Sequence, residues 1–503
     1  MRSFAAALSL VLASCGAERE GTADIEAAAV SAADRAEAAL PPEATEEERA
    51  AARLDAEYPM HAAFTGIVTT IRTRPDEGAP VVGWLRTGAR VRLASEATRG
   101  PGCAAWRRAH PLGYVCDDDA LEVREQPIEL EEPTLEGWKD GQVEAARARG
   151  ALVLPPIARD AALPYDYWYV RESTVPEYHR LPSRDEQRAA GAKADRFREL
   201  LAIDERRARR YLAGESDDGP RGTAVVNRYL DRGFYVASSG FELRAFRRFV
   251  RTTQGRFIKQ AQLEPRSGHT FRGVELGPER TLPIAWTVRA ARPMRLGDDG
   301  ALVNDDDAPA IERQTWLEGW EGRRNVGGQL VHVLGTSAGP RYLRAWFASV
   351  AERIARPDGV APDEPWVHVD LSEQTLVLYE GDTPRYATLV STGLEGHATP
   401  TGIFEIRRKH VTDTMSNLGS DMTDDRYSIE DVPWTQYFEG AYALHTAFWH
   451  TGFGLPRSHG CVNLTPHDAH YVFARTWPRL PDGWHGVATE QTELRGSHVV
   501  VTE

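Results

Sequence analysis

The sequence predicts a mainly β, multi-domain chain, and three features lead to that expectation. Its 503 residues exceed what one domain of roughly 100–200 residues holds, so several cores are expected. Short apolar–polar alternations recur between turn signals from about residue 61 to 123 and again beyond Trp366, and period-2 alternation marks strands. A long helical pattern falls on an internal stretch, Asp185–Leu212, with Phe197, Leu200 and Leu201 on one face.

Composition narrows the function classes. Sixty Lys and Arg against 74 Asp and Glu leave a net charge of −14, opposite in sign to a nucleic-acid binder, so no nucleic-acid partner is expected. Four cysteines are too few for a disulfide-dense scaffold or a Cys-rich metal module. Each therefore needs its own explanation.

The first lies at the N-terminus. Met1-Arg2 precedes an apolar stretch, Phe4 to Leu12, of about ten residues; a bilayer span takes about 20, whereas a signal-peptide core is this short. Leu12-Ala13-Ser14-Cys15 resembles the lipobox of bacterial lipoproteins, which implies cleavage and lipidation at Cys15, with 1–15 as the signal segment. The chain is then exported and touches membrane only through this anchor, on the periplasmic face. Gly16 follows, with no Asp next to suggest inner-membrane retention, so the outer membrane is expected. Residues 16–59, rich in Ala and Glu with almost no aromatics, read as a flexible or partly helical tether, since they offer little apolar area to offset ordering entropy.

Residues 60–125 hold five β-patterned runs, among them Gly66–Arg72, Val81–Leu85 and Arg90–Leu93. Their order, ending in Trp106-Arg107-Arg108 and Gly113-Tyr114-Val115, resembles bacterial SH3-like domains and implies a small barrel. Cys103 and Cys116 flank the last hairpin, and an exported chain permits a disulfide between them. Residues 126–360 form a mixed region. Phe249–Leu263 and Leu330–Leu343 echo the same strand, Gly turn, strand pattern, so degenerate SH3-like or related β modules are expected beside the helical segment. Arg206-Arg207 and Arg209-Arg210 read as a solvated helix face.

The chemistry is expected in residues 364–502. Val367, Val369 and Leu371 alternate with polar positions, and a meander continues through Leu376–Leu378, Tyr386–Ser391 and Ile403–Arg408. Lys409–Asp431 reads as an irregular, polar lid. Beyond it come Ala443-Leu444-His445-Thr446 and Ser458-His459-Gly460-Cys461-Val462-Asn463. Cys461 is the one cysteine not absorbed by lipidation or pairing. A thiol attacks as thiolate, and a nearby imidazole can take its proton and return it to a leaving group. The amides around Gly460 and Cys461 suit a tetrahedral oxyanion, at about 3 kcal/mol per donor. This is the pattern of acyl transfer through a thioester.

Thr399-Pro400-x-Gly402, His445 and the Ser458–Asn463 hexamer together resemble the L,D-transpeptidase catalytic domain of the YkuD type, over about 130 C-terminal residues. The resemblance implies a β-sandwich-like fold with Cys461 as nucleophile and His445 as base, its ring oriented by the Thr446 carbonyl. It gives His459 and Asn463 site-shaping roles and makes Ser458 and Gly460 the catalytic turn. His450 stays the alternative base, five residues on; His445 is favoured because it follows an apolar strand run. The implied partner is a peptidoglycan stem tetrapeptide, cut between diaminopimelate and D-Ala, with the acyl group passed to an amine. Water as acceptor would make it an L,D-carboxypeptidase or amidase, and an inactive wall-binding scaffold is the remaining alternative. Tyr437 and Phe438 are candidates for the substrate groove, and Trp434 reads as a core aromatic. No cofactor and no metal are expected, because the histidines near Cys461 lack metal-motif spacing. Thr465-Pro466-His467-Asp468 reads as a helix start, with Asp468 facing free amides.

Overall fold

A computed structural model describes residues 32–131, 145–146, 148, 152–153, 158–418 and 426–503. The signal segment, Cys15 and residues 16–31 lie outside the described residues. The described residues divide into two units, one before Met60 and one from Met60 to Glu503. In the first, the expected tether is helical at Ala32–Ala38 and Glu46–Glu57. The second helix starts where Thr45 and Glu48 reciprocally cap each other's backbone N–H groups.

In the second unit, three β modules share one strand order. The first strand, Met60–Phe64, Asp166–Val170 or Ile284–Thr287, runs antiparallel to the last, Leu121–Arg124, Leu263–Arg266 or Ala348–Ala351. Between them lie two consecutive hairpins, built in turn from Arg90–Gly100, Cys103–Ala109 and Tyr114–Cys116, from Tyr235–Arg244, Arg247–Thr252 and Phe257–Lys259, and from Trp320–Val326, Gln329–Leu334 and Arg341–Arg344. Cys103 and Cys116 are joined by a disulfide across the first module's second hairpin. The helical pattern of the second module is broken in two, Arg184–Leu201 and Glu205–Ala213, by Asp204 capping the second helix. Phe197 and Leu200 are buried, but Leu201 faces solvent.

The C-terminal domain is a sandwich of two sheets. One runs Val274–Glu275, Thr383–Leu389, Thr375–Glu380, Pro365–Asp370, His498–Thr502, Gly402–Glu405. The other runs Val462–Leu464, Tyr442–Thr446, Ser428–Glu439, Arg408–Ser416, Gly486–Ala488, and continues into Val81–Arg86 of the first module. Val367, Val369, Leu376 and Leu378 face Phe438, Leu444, Val462 and the helix Pro466–Arg475 in the core between the sheets. Trp366, Val377 and Tyr379 point the other way and are buried too, against Ile284 and Trp286 of the third module. The first module's core likewise takes in Trp484 and Val487. Gly83 has to be glycine there, because a Cβ would lie 2.1 Å from the Trp484 ring.

Of the segment expected as an irregular lid, the parts on either side of residues 419–425, which lie outside the described residues, are strands, Arg408–Ser416 paired with Ser428–Glu439. The second strand is clamped at Asp431. Asp431 is buried and takes both guanidinium nitrogens of Arg86, plus the hydroxyls of Thr253 and Thr412, while its carbonyl accepts from Tyr167 OH at 2.7 Å. Burial opposes its charge, but Arg86 outweighs that and holds the carboxyl below its ordinary range. Removing one member of such a pair strands the other's charge in the interior. Arg86→Ala is therefore expected to cost about 3–5 kcal/mol in urea unfolding, and Arg86→Met with Asp431→Asn, which removes both charges and keeps a residue tolerant of φ +51°, less. A single-variant loss below about 1 kcal/mol would contradict this account.

Candidate active site

The strands Tyr442–Thr446 and Val462–Leu464 run parallel, with His445 opposite Asn463. The turn entering the second strand carries Ser458, His459, Gly460 and Cys461. Its shape is over-determined. Ser458 Oγ donates to the Cys461 carbonyl (2.6 Å) and accepts from the Gly460 N–H (3.0 Å). Thr399 Oγ1 donates to the Gly460 carbonyl (2.8 Å) and accepts from the Gly393 N–H (3.0 Å), which gives the Thr399-Pro400-x-Gly402 run its role. Gly460 sits at φ +111°, and a Cβ there would meet Tyr442 at 2.3 Å, so only glycine makes this turn. Its N–H is committed to Ser458; of the two amides named from the sequence, that of Cys461 is left for a substrate oxygen.

Cys461 is half-buried and lines a cleft of about 510 Å³ together with His445, Ser458, His459 and Asn463. Burial pushes its thiol up to about 11, and its Sγ lies 3.7 Å from the Ala441 carbonyl. His445 is buried, which pulls its pKa down to about 4 against the bond at its Nδ1, 2.9 Å from the Thr446 carbonyl. A carbonyl only accepts, so Nδ1 carries the proton and Nε2 is the basic nitrogen. Both partners of the pair are thus neutral in the empty cleft at pH 7.

His450 is engaged on both nitrogens and does not line the cleft. Its Nδ1 accepts from the Gly452 N–H at 3.0 Å, so its Nε2, 2.9 Å from the Asn463 amide, must be the protonated one. The Asn463 amide then turns its oxygen to His450. Of the two histidines, His445 lines the cleft with Cys461.

One groove expectation is corrected. Phe438 is fully buried in the core against Phe404, because its strand is covered by the helix and the facing sheet. Tyr437 is half-buried, its pKa raised by burial, by Asp413 and, less, by Cys461 nearby; it donates to Asp413 (2.8 Å), with Arg408 over its ring. Trp434 is buried, with its Nε1 on the Ala162 carbonyl at 2.7 Å. Asp468 does not face its own helix's amides. Thr465 caps that helix, and the Asp468 carboxylate is buried on Tyr386 OH (2.7 Å), Thr388 Oγ1 (2.5 Å) and the Gly273 N–H (3.0 Å). The aromatics that line the cleft are Tyr427, Trp449 and Tyr235, the last from the second β module, with Arg426 and Arg457 as its cations. Arg457 directly precedes Ser458 and was legible on that ground; Tyr235 had no local signal. Among the described residues, no group of three His, Cys, Asp or Glu side chains is placed to hold a metal ion.

Residues 364–483 match the YkuD family, the L,D-transpeptidase catalytic domain. No curated protein matches the chain in sequence. Among solved structures it is similar to a mutant L,D-transpeptidase of Enterococcus faecium, at 19% identity and TM-score 0.22, over 28% of this chain and 50% of that one. It is similar to an L,D-transpeptidase of Stackebrandtia nassauensis at 27% identity and TM-score 0.19, over 29% and 58% of the two chains. An L,D-transpeptidase of Mycobacterium tuberculosis is 16% identical with TM-score 0.22, over 33% and 72%. The chain spans about half the length of the Enterococcus faecium protein.

A thiol held up to about 11 is almost wholly protonated at neutral pH. Iodoacetamide labelling of Cys461, followed by peptide mass spectrometry, is expected to be slow at pH 7 and to climb about tenfold per pH unit through pH 9–10. A plateau near pH 8, where an unperturbed thiol of pKa about 8.5 would begin to level off, would contradict the burial argument.

Proposed function

We propose that this chain is an exported peptidoglycan L,D-transpeptidase, lipid-anchored through Cys15 at the periplasmic face of the outer membrane, with Cys461 as its nucleophile. The observation that carries the reading is the convergence of Cys461, the Nε2-basic His445 and Asn463 in one open cleft, inside the residues that match the L,D-transpeptidase catalytic domain. As Sγ attacks the carbonyl carbon of the third stem residue, its proton passes to His445 Nε2, and the oxyanion forms beside the Cys461 N–H. The imidazolium then gives that proton to the departing nitrogen of D-Ala, and the C–N bond breaks to leave a thioester. An amine attacks the thioester, loses its proton to His445, and restores the thiol.

Neutral resting partners fit this order. No charge is stored in a buried, empty site, and proton transfer waits until a polarised carbonyl accepts the sulfur's electrons. The depressed pKa of His445 keeps the base unprotonated well into acid. Arg457 and Arg426 supply cations for the peptide's carboxylates, and Trp449 and Tyr427 supply flat apolar walls. His459, exposed beside Tyr427 at a ring separation of 6.0 Å, shapes the cleft mouth. The shared strand order extends the SH3-like reading from residues 60–125 to all three β modules.

Incubated with a disaccharide tetrapeptide, the protein is expected to release D-Ala and yield crosslinked dimers by mass, and Cys461→Ala to lose both activities with its circular dichroism unchanged. Tripeptide monomers in place of dimers would assign the carboxypeptidase reading. D-Ala release by Cys461→Ala would refute the thiol mechanism.

A further inference from the structure

A second and larger cavity, of about 840 Å³, lies between the two helices inserted in the second β module and the strand Val226–Leu230. Five cations line it, Lys193, Arg209, Arg221, Arg228 and Arg426, against one carboxylate, Asp217, in a chain whose net charge is −14. Arg426 also lines the Cys461 cleft, so the two cavities meet at this side chain. The loop closing the cavity is pinned in place. Tyr211 OH donates to the Pro220 carbonyl (2.7 Å), Arg196 Nε donates to the Asp218 carbonyl (2.7 Å), and Arg207 pairs with the Asp218 carboxylate.

The cations differ in how firmly they are committed. Arg228 is locked between the buried Glu177 and Glu430. Arg209 with Glu205 and Arg221 with Asp217 are solvent-exposed pairs four residues apart, which are weak and readily exchanged for another carboxylate. Lys193 donates to the Leu212 carbonyl at 2.9 Å and is paired with no carboxylate among the described residues. Burial lowers its pKa, a penalty that a bound anion would relieve.

We propose that this preformed cavity is a second binding subsite, taking the carboxylate-bearing end of a peptide strand that continues past Arg426 to Cys461. Pre-organised walls spare the ligand the cost of ordering them, and a lining with more cations than carboxylates favours anions, Arg426 being paired only with Asp231, at 3.5 Å, among the described residues. The identity of the peptide as a wall stem rests on the proposed function; the subsite itself does not.

The test titrates the full chain carrying Cys461→Ala, so that nothing turns over, with a stem tetrapeptide in a calorimeter. Arg209→Glu with Arg221→Glu is expected to weaken Kd about tenfold or more, since both side chains are exposed and their reversal leaves the core alone. The neutral pair Arg209→Gln with Arg221→Gln guards against a folding defect and is expected to weaken Kd by a smaller factor in the same direction. Amidating the peptide's carboxylates should weaken binding to the parent and abolish the difference between parent and variants. No measurable binding, or a Kd within twofold across all variants, would overturn the subsite. Charge-sensitive binding, with no D-Ala released by the chain that keeps Cys461, would refute the proposed function and leave the subsite standing; D-Ala release by that chain with charge-insensitive binding would do the reverse.

Discussion

The wall of the cleft depends on one buried carboxylate. Asp431 draws together Arg86 of the first β module, Thr253 of the second and Thr412 of the neighbouring strand, and its carbonyl takes Tyr167 OH as well. It does so at φ +51°, a conformation that Asp tolerates better than most residues. The arms of the same hairpin supply Met415 and Ile429 to the cleft, and Arg426 and Tyr427 come from its distal part. One residue away, Glu430 binds Arg228 of the second module. A buried ion pair is a poor source of net stability, because desolvation offsets its attraction, but it tolerates little displacement. Its contribution here is to fix where the hairpin sits over Cys461.

Burial has the opposite consequence at the reacting atoms. It raises the thiol and lowers the imidazole, so proton transfer between them in the empty cleft is uphill. The Thr446 carbonyl fixes the tautomer of His445, and Ser458 and Thr399 hold the turn that presents Cys461. A thiol that stays protonated is also protected from adventitious oxidation, which proceeds through thiolate.

Local chemistry was legible in the sequence. The Ser458–Asn463 turn, Thr465 as a helix cap and the Cys103–Cys116 hairpin each depend on residues close in the chain or on backbone angles that Gly and Pro dictate. What escaped was set by partners far away. The polar positions alternating with Val367 and Val369 looked solvent-facing, yet His368 is buried, and on the same face Trp366 packs with Ile284 and Trp286 of the third module, some eighty residues earlier. Phe438 looked like a groove aromatic because nothing nearby shows that the Pro466–Arg475 helix and the facing sheet would enclose it. The hairpin over the cleft read as irregular because its strands carry charged residues, Asp413, Glu430 and Asp431, whose partners come from two other modules or from Tyr437 across the hairpin. The choice between His445 and His450 needed hydrogen-bond directions that no spacing encodes.

The claim that everything functional rests on is a covalent one, so the most direct measurement is the intact mass of the protein quenched in acid during turnover of a stem tetrapeptide. The account predicts a transient species heavier by the acyl donor without its D-Ala, mapping to the peptide that contains Cys461 and released by hydroxylamine. Turnover with no mass increment at any quench time, or an adduct on another residue, would contradict it.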